Sequence, residues 1–183
     1  MSERRIEIRP ACTTDVPDML DLVNDLAAEG VMLPRSPASI VEGLRDFVVV
    51  EVDGEFAGCG ALAIIWTDLA EIRSIAVDKR FQKLGLGRML AERLLDDAEG
   101  LNLARVMAFT YVTGFFEKLG FRVVEHASLP HKVFNDCLNC PKFHKCDEVA
   151  VLKELSTTGE PPPLGAAGGP LSLPMPGRAL PRA

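Results

Sequence analysis

Between Gln82 and Arg88 the chain reads Gln-Lys-Leu-Gly-Leu-Gly-Arg and runs straight into an apolar-periodic segment. Glycines at that spacing let a ligand approach the backbone, and free N–H groups at a helix start attract anions. Lys79, Arg80, Lys83 and Arg88 fall in the same ten-residue window of a chain whose net charge is −6. The combination outlines a phosphate cradle, although a plain turn before a core helix could use the same residues. A Walker loop would need Gly-Lys-Ser/Thr, and the dinucleotide fingerprint would need a third glycine. Neither is present.

A second cluster is built on sulfur. Cys137-x2-Cys140-x5-Cys146 has His144 inside it and His131 upstream. Structural zinc takes four ligands, so with three cysteines His144 or His131 would have to complete the set. A thiol–disulfide switch and plain packing of reduced thiols are the alternatives. Cys12 and Cys59 read as core residues of strand regions. Five cysteines, an odd count in no disulfide-dense pattern, fit a reducing cytoplasm.

These residues need a scaffold, and the apolar spacing supplies one. Arg5 to Arg9 alternates as a first strand that Pro10 ends, with Thr13, Thr14 or Asp15 capping a helix that stops at Gly30. Ser36 can cap a second helix through Leu44. Strands follow at Phe47–Val52 and Ala57–Trp66 around an Asp53-Gly54 hairpin turn, then at Leu69–Val77. After the glycine loop, Leu86, Leu90 and Leu94 mark one face of a helix with Met89 beside them. Ala104–Phe109 is a strand, Val112–Leu119 a short helix, and Phe121–Val124 and Val149–Leu152 complete the set. Glu71, Arg73 and Ile75 are spaced to share one side of the central strand.

With 183 residues, 48% hydrophobic and 25% charged, the chain has the profile of one soluble domain with a real core. Its acidic balance argues against a nucleic-acid partner. No stretch has the apolar length of a membrane span, and the first ten residues lack the core of a secretory signal. Residues 156–183 hold seven of 13 prolines and five of 15 glycines, the composition of a disordered tail. The expected division is therefore a folded domain at 1–155, with a cysteine-containing loop at 131–148, and a tail.

The run V-D-K-R-F-Q-K-L-G-L-G-R-M-L resembles motif A of the GNAT acyltransferases. Phe115 to Phe121, F-F-E-K-L-G-F, resembles the fourth-helix motif of the same family. The element order β-α-α-β-β-β-α-β-α-β-β is that of the GNAT fold. The resemblance implies an α/β (α+β) domain: a mixed, mostly antiparallel sheet, splayed at its central strands, with helices on both faces. It implies acetyl-CoA as cosubstrate, its thioester arm against the backbone of Ile75, Ala76 and Val77. The pyrophosphate would lie on the amides of Lys83, Leu84, Gly85, Leu86, Gly87 and Arg88, with the Gln82 side chain nearby. Acetyl transfer needs a neutral amine, an oriented carbonyl and a proton for the departing thiolate. Glu71 would be the general base. Phe116 stands where many GNAT enzymes carry a tyrosine, so the acid stays open, with Tyr111 the chain's single tyrosine.

A narrower resemblance runs through Leu33–Ser36 (L-P-R-S), Ala70–Val77 (A-E-I-R-S-I-A-V), the Phe-Phe before E-K-L-G-F, and Leu129–Lys132 (L-P-H-K). It is to the acetyltransferase domain of bacterial N-acetylglutamate synthases. It implies direct acetyl transfer to the α-amino group of glutamate in a ternary complex, the first step of arginine synthesis. A dicarboxylic amino acid needs at least two cationic anchors, and Arg35, Arg73 and Lys132 are the candidates. Classical synthases add an amino-acid-kinase-like domain; the expectation here is a stand-alone short form, with a homodimer and a separate regulatory partner left open. Other readings are a GNAT acting on another small amine or a protein N-terminus, and a non-catalytic acyl-CoA or metal sensor.

Overall fold

The computed structural model describes residues 4–129 and 146–156. In chain order these form β1 (Ile6–Pro10), α1 (Val16–Ala28), α2 (Pro37–Glu42), β2 (Phe47–Val52), β3 (Glu55–Trp66) and β4 (Leu69–Val77). They continue as α3 (Leu86–Gly100), β5 (Arg105–Thr110), α4 (Thr113–Glu117), β6 (Arg122–Val124) and β7 (Val149–Glu154). The element order is the expected one. The strands make a seven-stranded sheet in the order β1-β2-β3-β4-β5-β7-β6, antiparallel at every described pairing except β4–β5.

The sheet is covered on both faces. On one face Leu86, Leu90 and Leu94 of α3, each 2% exposed or less, pack on Val48, Val50, Leu62 and Ile72. On the other, Met19 and Val23 of α1 with Ile40 of α2 cover Phe47, Val49, Cys59 and Ala61. A third, smaller cluster joins Leu69, Met107, Leu129 and Leu152. The β2–β3 turn uses Asp53 and Gly54, with φ of 54° and 84°, which is the primed geometry that suits a right-twisted hairpin.

Two local expectations change. Cys12 is exposed, because the chain leaves the sheet at Pro10 and makes a 3-10 turn over Thr13–Asp15 before α1. Cys59 is fully buried, and that burial pushes its thiol up to about 12. Asp15 does not cap α1 with its side chain. Its carboxylate accepts the Cys12 N–H at 2.7 Å and both terminal nitrogens of Arg9, at 2.7 and 2.8 Å. Arg9 also binds Glu51 on β2, so one guanidinium ties β1, β2 and the entry to α1 together.

The Arg9 pairing holds the Asp15 carboxyl down at about 2. A carboxylate depressed on folding adds stability that is complete above its unfolded pKa and disappears as pH falls through the folded value. Asp15→Asn is expected to cost about 1–2 kcal/mol near neutrality, solvent at Arg9 screening part of the pair. In urea titrations at stepped pH, that gap should close between about pH 4 and pH 2. A gap independent of pH would assign the loss to packing.

Candidate functional site

The site begins where two strands part. β4 and β5 pair in parallel only at Leu69↔Arg105, Ala70↔Val106 and Glu71↔Met107. β4 nevertheless runs on to Val77 and β5 to Thr110, so a wedge opens beyond Glu71. Among the described residues, β4 and β5 make no register pair beyond Glu71↔Met107. Unpaired strand groups are a ready template for an extended ligand.

Within the wedge β4 is bulged. Its register with β3 jumps from Cys59↔Ala76 to Ala61↔Arg73, and Ser74 sits at φ 55°, a left-handed conformation few non-glycine residues adopt. The extra residue breaks the period-two alternation. Glu71 and Arg73 stay on the α1/α2 face, but Ile75 turns to the α3 face, where it packs beside Leu94 next to Gly60. The expectation that all three share a side is corrected here: it holds for Glu71 and Arg73 alone. Glu71 is 6% exposed, at the point of the wedge between the α1/α2 cluster and the Leu69–Met107 cluster.

Past Val77 the chain makes a 3-10 turn at Lys79–Phe81 and then two left-handed steps, Lys83 at φ 69° and Gly85 at φ 78°, before α3 begins. The first-turn N–H groups of α3 have no intrahelical acceptors, and they lie beside the open end of β4. Gly87 brings that turn close to its neighbours: a methyl there would meet Phe115 and Val77, both at 3.8 Å. Gln82, Lys83, Gly85 and Arg88 are exposed, Leu84 and Gly87 half-buried, and Leu86 is core. The four basic residues divide. Lys79 pairs with Glu29, and Arg80 with Asp78 and Glu55, both away from the loop. Arg88 reaches Glu92 one turn along α3 at 2.7 Å. Lys83 makes no ion pair among the described residues, so the helix dipole, the loop amides and Lys83 supply the positive end.

One arginine reaches the bulge from the loop before α2, and a second rises from β4 itself toward the segment after α2. Arg35 Nε donates to Ser74 Oγ at 3.3 Å, across 39 residues of sequence. Arg73, with 17% of its side chain exposed, lies 3.7 Å from Asp46. Burial raises the Asp46 carboxyl above the ordinary range while Arg73 opposes the shift. Glu71 shares this face of β4. A buried carboxyl group and two guanidinium groups therefore stand on one face of one strand beside the wedge.

Tyr111 directly follows β5, and its hydroxyl donates to Asp147 at 2.9 Å. Phe116 is core, packed edge-on against Phe115 and Phe121. Lys132, His131, Cys137, Cys140 and His144 lie outside the described residues. Cys146 is exposed, and among the described residues no group of His, Cys, Asp or Glu is placed to hold a metal ion.

Residues 20–121 match the Acetyltransferase (GNAT) family. The chain belongs to that family. An N-acetyltransferase of Chlorobaculum tepidum is 40% identical over 81% of this chain and 96% of its own length. The amino-acid acetyltransferase of Mycobacterium tuberculosis is 36% identical over 74% of this chain and 82% of its own. Among solved structures, a Mycobacterium tuberculosis protein in complex with CoA superposes with a TM-score of 0.70 at 32% identity, covering 81% of this chain and 99% of that one. The N-acetylglutamate synthase of Neisseria gonorrhoeae, complexed with coenzyme A and N-acetyl-glutamate, gives 0.74 at 26% identity. That match covers 84% of this chain but 36% of the synthase. The protein is an acetyl-CoA-dependent N-acetyltransferase with a GNAT fold, the mixed, splayed sheet expected for it. The β4 edge beyond Glu71 and the left-handed glycine turn at the start of α3 are the features expected from the sequence to meet acetyl-CoA.

Three residues at the site had no role assigned from the sequence: Ser74, inside the Ala70–Val77 run, and Asn24 both meet Arg35, and Asp46 meets Arg73.

Proposed function

We propose that this GNAT enzyme acetylates the α-amino group of an amino acid, L-glutamate, by direct attack in a ternary complex, as the first step of arginine synthesis in the cytoplasm. The observation that carries the reading is the approach of the Arg35 guanidinium to the β4 bulge, with Arg73 rising from the same face of β4 that holds Glu71. Two guanidinium forks at one site suit a substrate with two carboxylates. The names and ligands of the relatives support the same substrate class. In this reading Arg35 and Arg73 fix the carboxylates and Glu71 takes the ammonium proton, directly or through water. The neutral amine then attacks the thioester carbonyl, which the open backbone of Ile75 to Val77 orients. Carbon–nitrogen bond formation and carbon–sulfur cleavage release the thiolate, which takes a proton from solvent, from the attacking nitrogen or from Tyr111.

The test is thiol release from acetyl-CoA with each of the twenty amino acids at equal concentration. A rate with glutamate well above the rest is expected. Aspartate and glutamine are the informative competitors, since one methylene in a pocket discriminates by about 1–3 kcal/mol. A flat panel with coenzyme A binding intact would remove the reading.

A further inference from the structure

The loop that carries Arg35 is an awkward platform for a precise contact. It runs from Glu29 to Ser36, contains Pro34, and is followed by Pro37, so its backbone offers few ladder groups. Its ends are tied. Gly30 N–H donates to the Ala27 carbonyl at 2.9 Å and Val31 N–H to Leu26 at 3.2 Å, closing the end of α1. Ser36 accepts the Ser39 N–H at 3.1 Å and opens α2. Between these points one side chain of α1 reaches across. Asn24 Nδ2 donates to the Arg35 carbonyl at 3.1 Å, and Arg35 N–H donates to Asn24 Oδ1 at 3.0 Å.

This is the pair of bonds a neighbouring strand would make, supplied by one carboxamide. Both bonds fall on the peptide groups of the residue whose guanidinium reaches Ser74. Asn24 is itself half-buried on α1, next in sequence to the core residue Val23. We propose that Asn24 is a positioning residue for substrate recognition: it fixes the Arg35 backbone so that the guanidinium is held at the β4 bulge before substrate arrives. The inference rests on the reading of Arg35 as a carboxylate anchor. Pre-orienting a long side chain lowers the ordering cost of binding, so its loss appears in substrate affinity rather than in the chemical step.

The test is a double-mutant cycle on the full chain, measured with glutamate and acetyl-CoA. Asn24→Ala should raise KM for glutamate about tenfold, with kcat and KM for acetyl-CoA changed less than about twofold. In an Arg35→Ala background the same substitution should have almost no further effect, because both changes act through one guanidinium. Asn24→Asp keeps the acceptor for Arg35 N–H and loses the donor, so it should fall between. An Asn24 effect that is undiminished in the Arg35→Ala background would overturn the inference. So would a loss of glutamate and acetyl-CoA affinity in parallel with a lowered melting temperature, which is the pattern of a purely structural staple. If Arg35→Ala itself leaves KM for glutamate unchanged, the anchor reading fails and this inference fails with it. If Arg35→Ala has its effect and Asn24→Ala does not, the inference alone fails.

Discussion

Replacing Arg35 with alanine should raise KM for glutamate about a hundredfold and leave KM for acetyl-CoA within about twofold. A hydrogen bond to a charged group is worth about 1.5–3 kcal/mol, and a two-pronged guanidinium–carboxylate contact lies at the upper end. At about 1.4 kcal/mol per tenfold, loss of one such contact gives a factor near one hundred. Arg35→Lys should recover part of the loss, since lysine restores the charge without the fork. Folding should be little affected, because the backbone ties at Asn24 do not depend on the Arg35 side chain. A hundredfold rise for a cationic acceptor as well would point to a misfolded loop.

The second large effect belongs to Glu71. Glu71→Gln keeps the size and most of the polarity of a side chain that is 6% exposed, so the fold should persist. General-base catalysis contributes about 10²- to 10⁴-fold, and kcat should fall by about 10²- to 10³-fold, with KM values little moved. The pH profile carries the sign. Without a base the reaction depends on the fraction of amine already neutral, so the variant's rate should climb about tenfold per pH unit toward the amine's own pKa. The two enzymes should therefore converge at alkaline pH. Parallel profiles would mean that Glu71 holds substrate without taking its proton.

Much of this arrangement was legible in the chain. The helical spacing of Leu86, Leu90 and Leu94 and the Asp53-Gly54 turn each express a local rule, and each element lies within a few residues of its expected bounds. The glycine loop was legible because close backbone approach demands particular residue types there. The bulge was not. Ser74 carries no signal for a positive φ, and one extra residue reverses every side assignment beyond it, which is why Ile75 was placed on the wrong face. Charge pairing was equally hidden, since Lys79 meets Glu29 and Arg80 meets Glu55 across 50 and 25 residues of sequence. For Asn24, nothing in the sequence separates a clamp from a solvated helix residue.

The short β4–β5 seam also bears on how the chain assembles. β2, β3 and β4 are joined by tight turns, and such hairpins form in about 1–10 μs. β5 and β7 pair Arg105 with Glu154 and Thr110 with Val149, so their contacts close loops tens of residues long and arrive later. With three register pairs at the seam, the halves are otherwise joined by the apolar clusters that draw residues from both. Native-state amide exchange should accordingly resolve two cooperative units, with β2–β4 opening at a higher free energy than β5–β7–β6. The boundary between them would fall at Glu71, so that the carboxyl group proposed as the base sits on the line along which the molecule first comes apart.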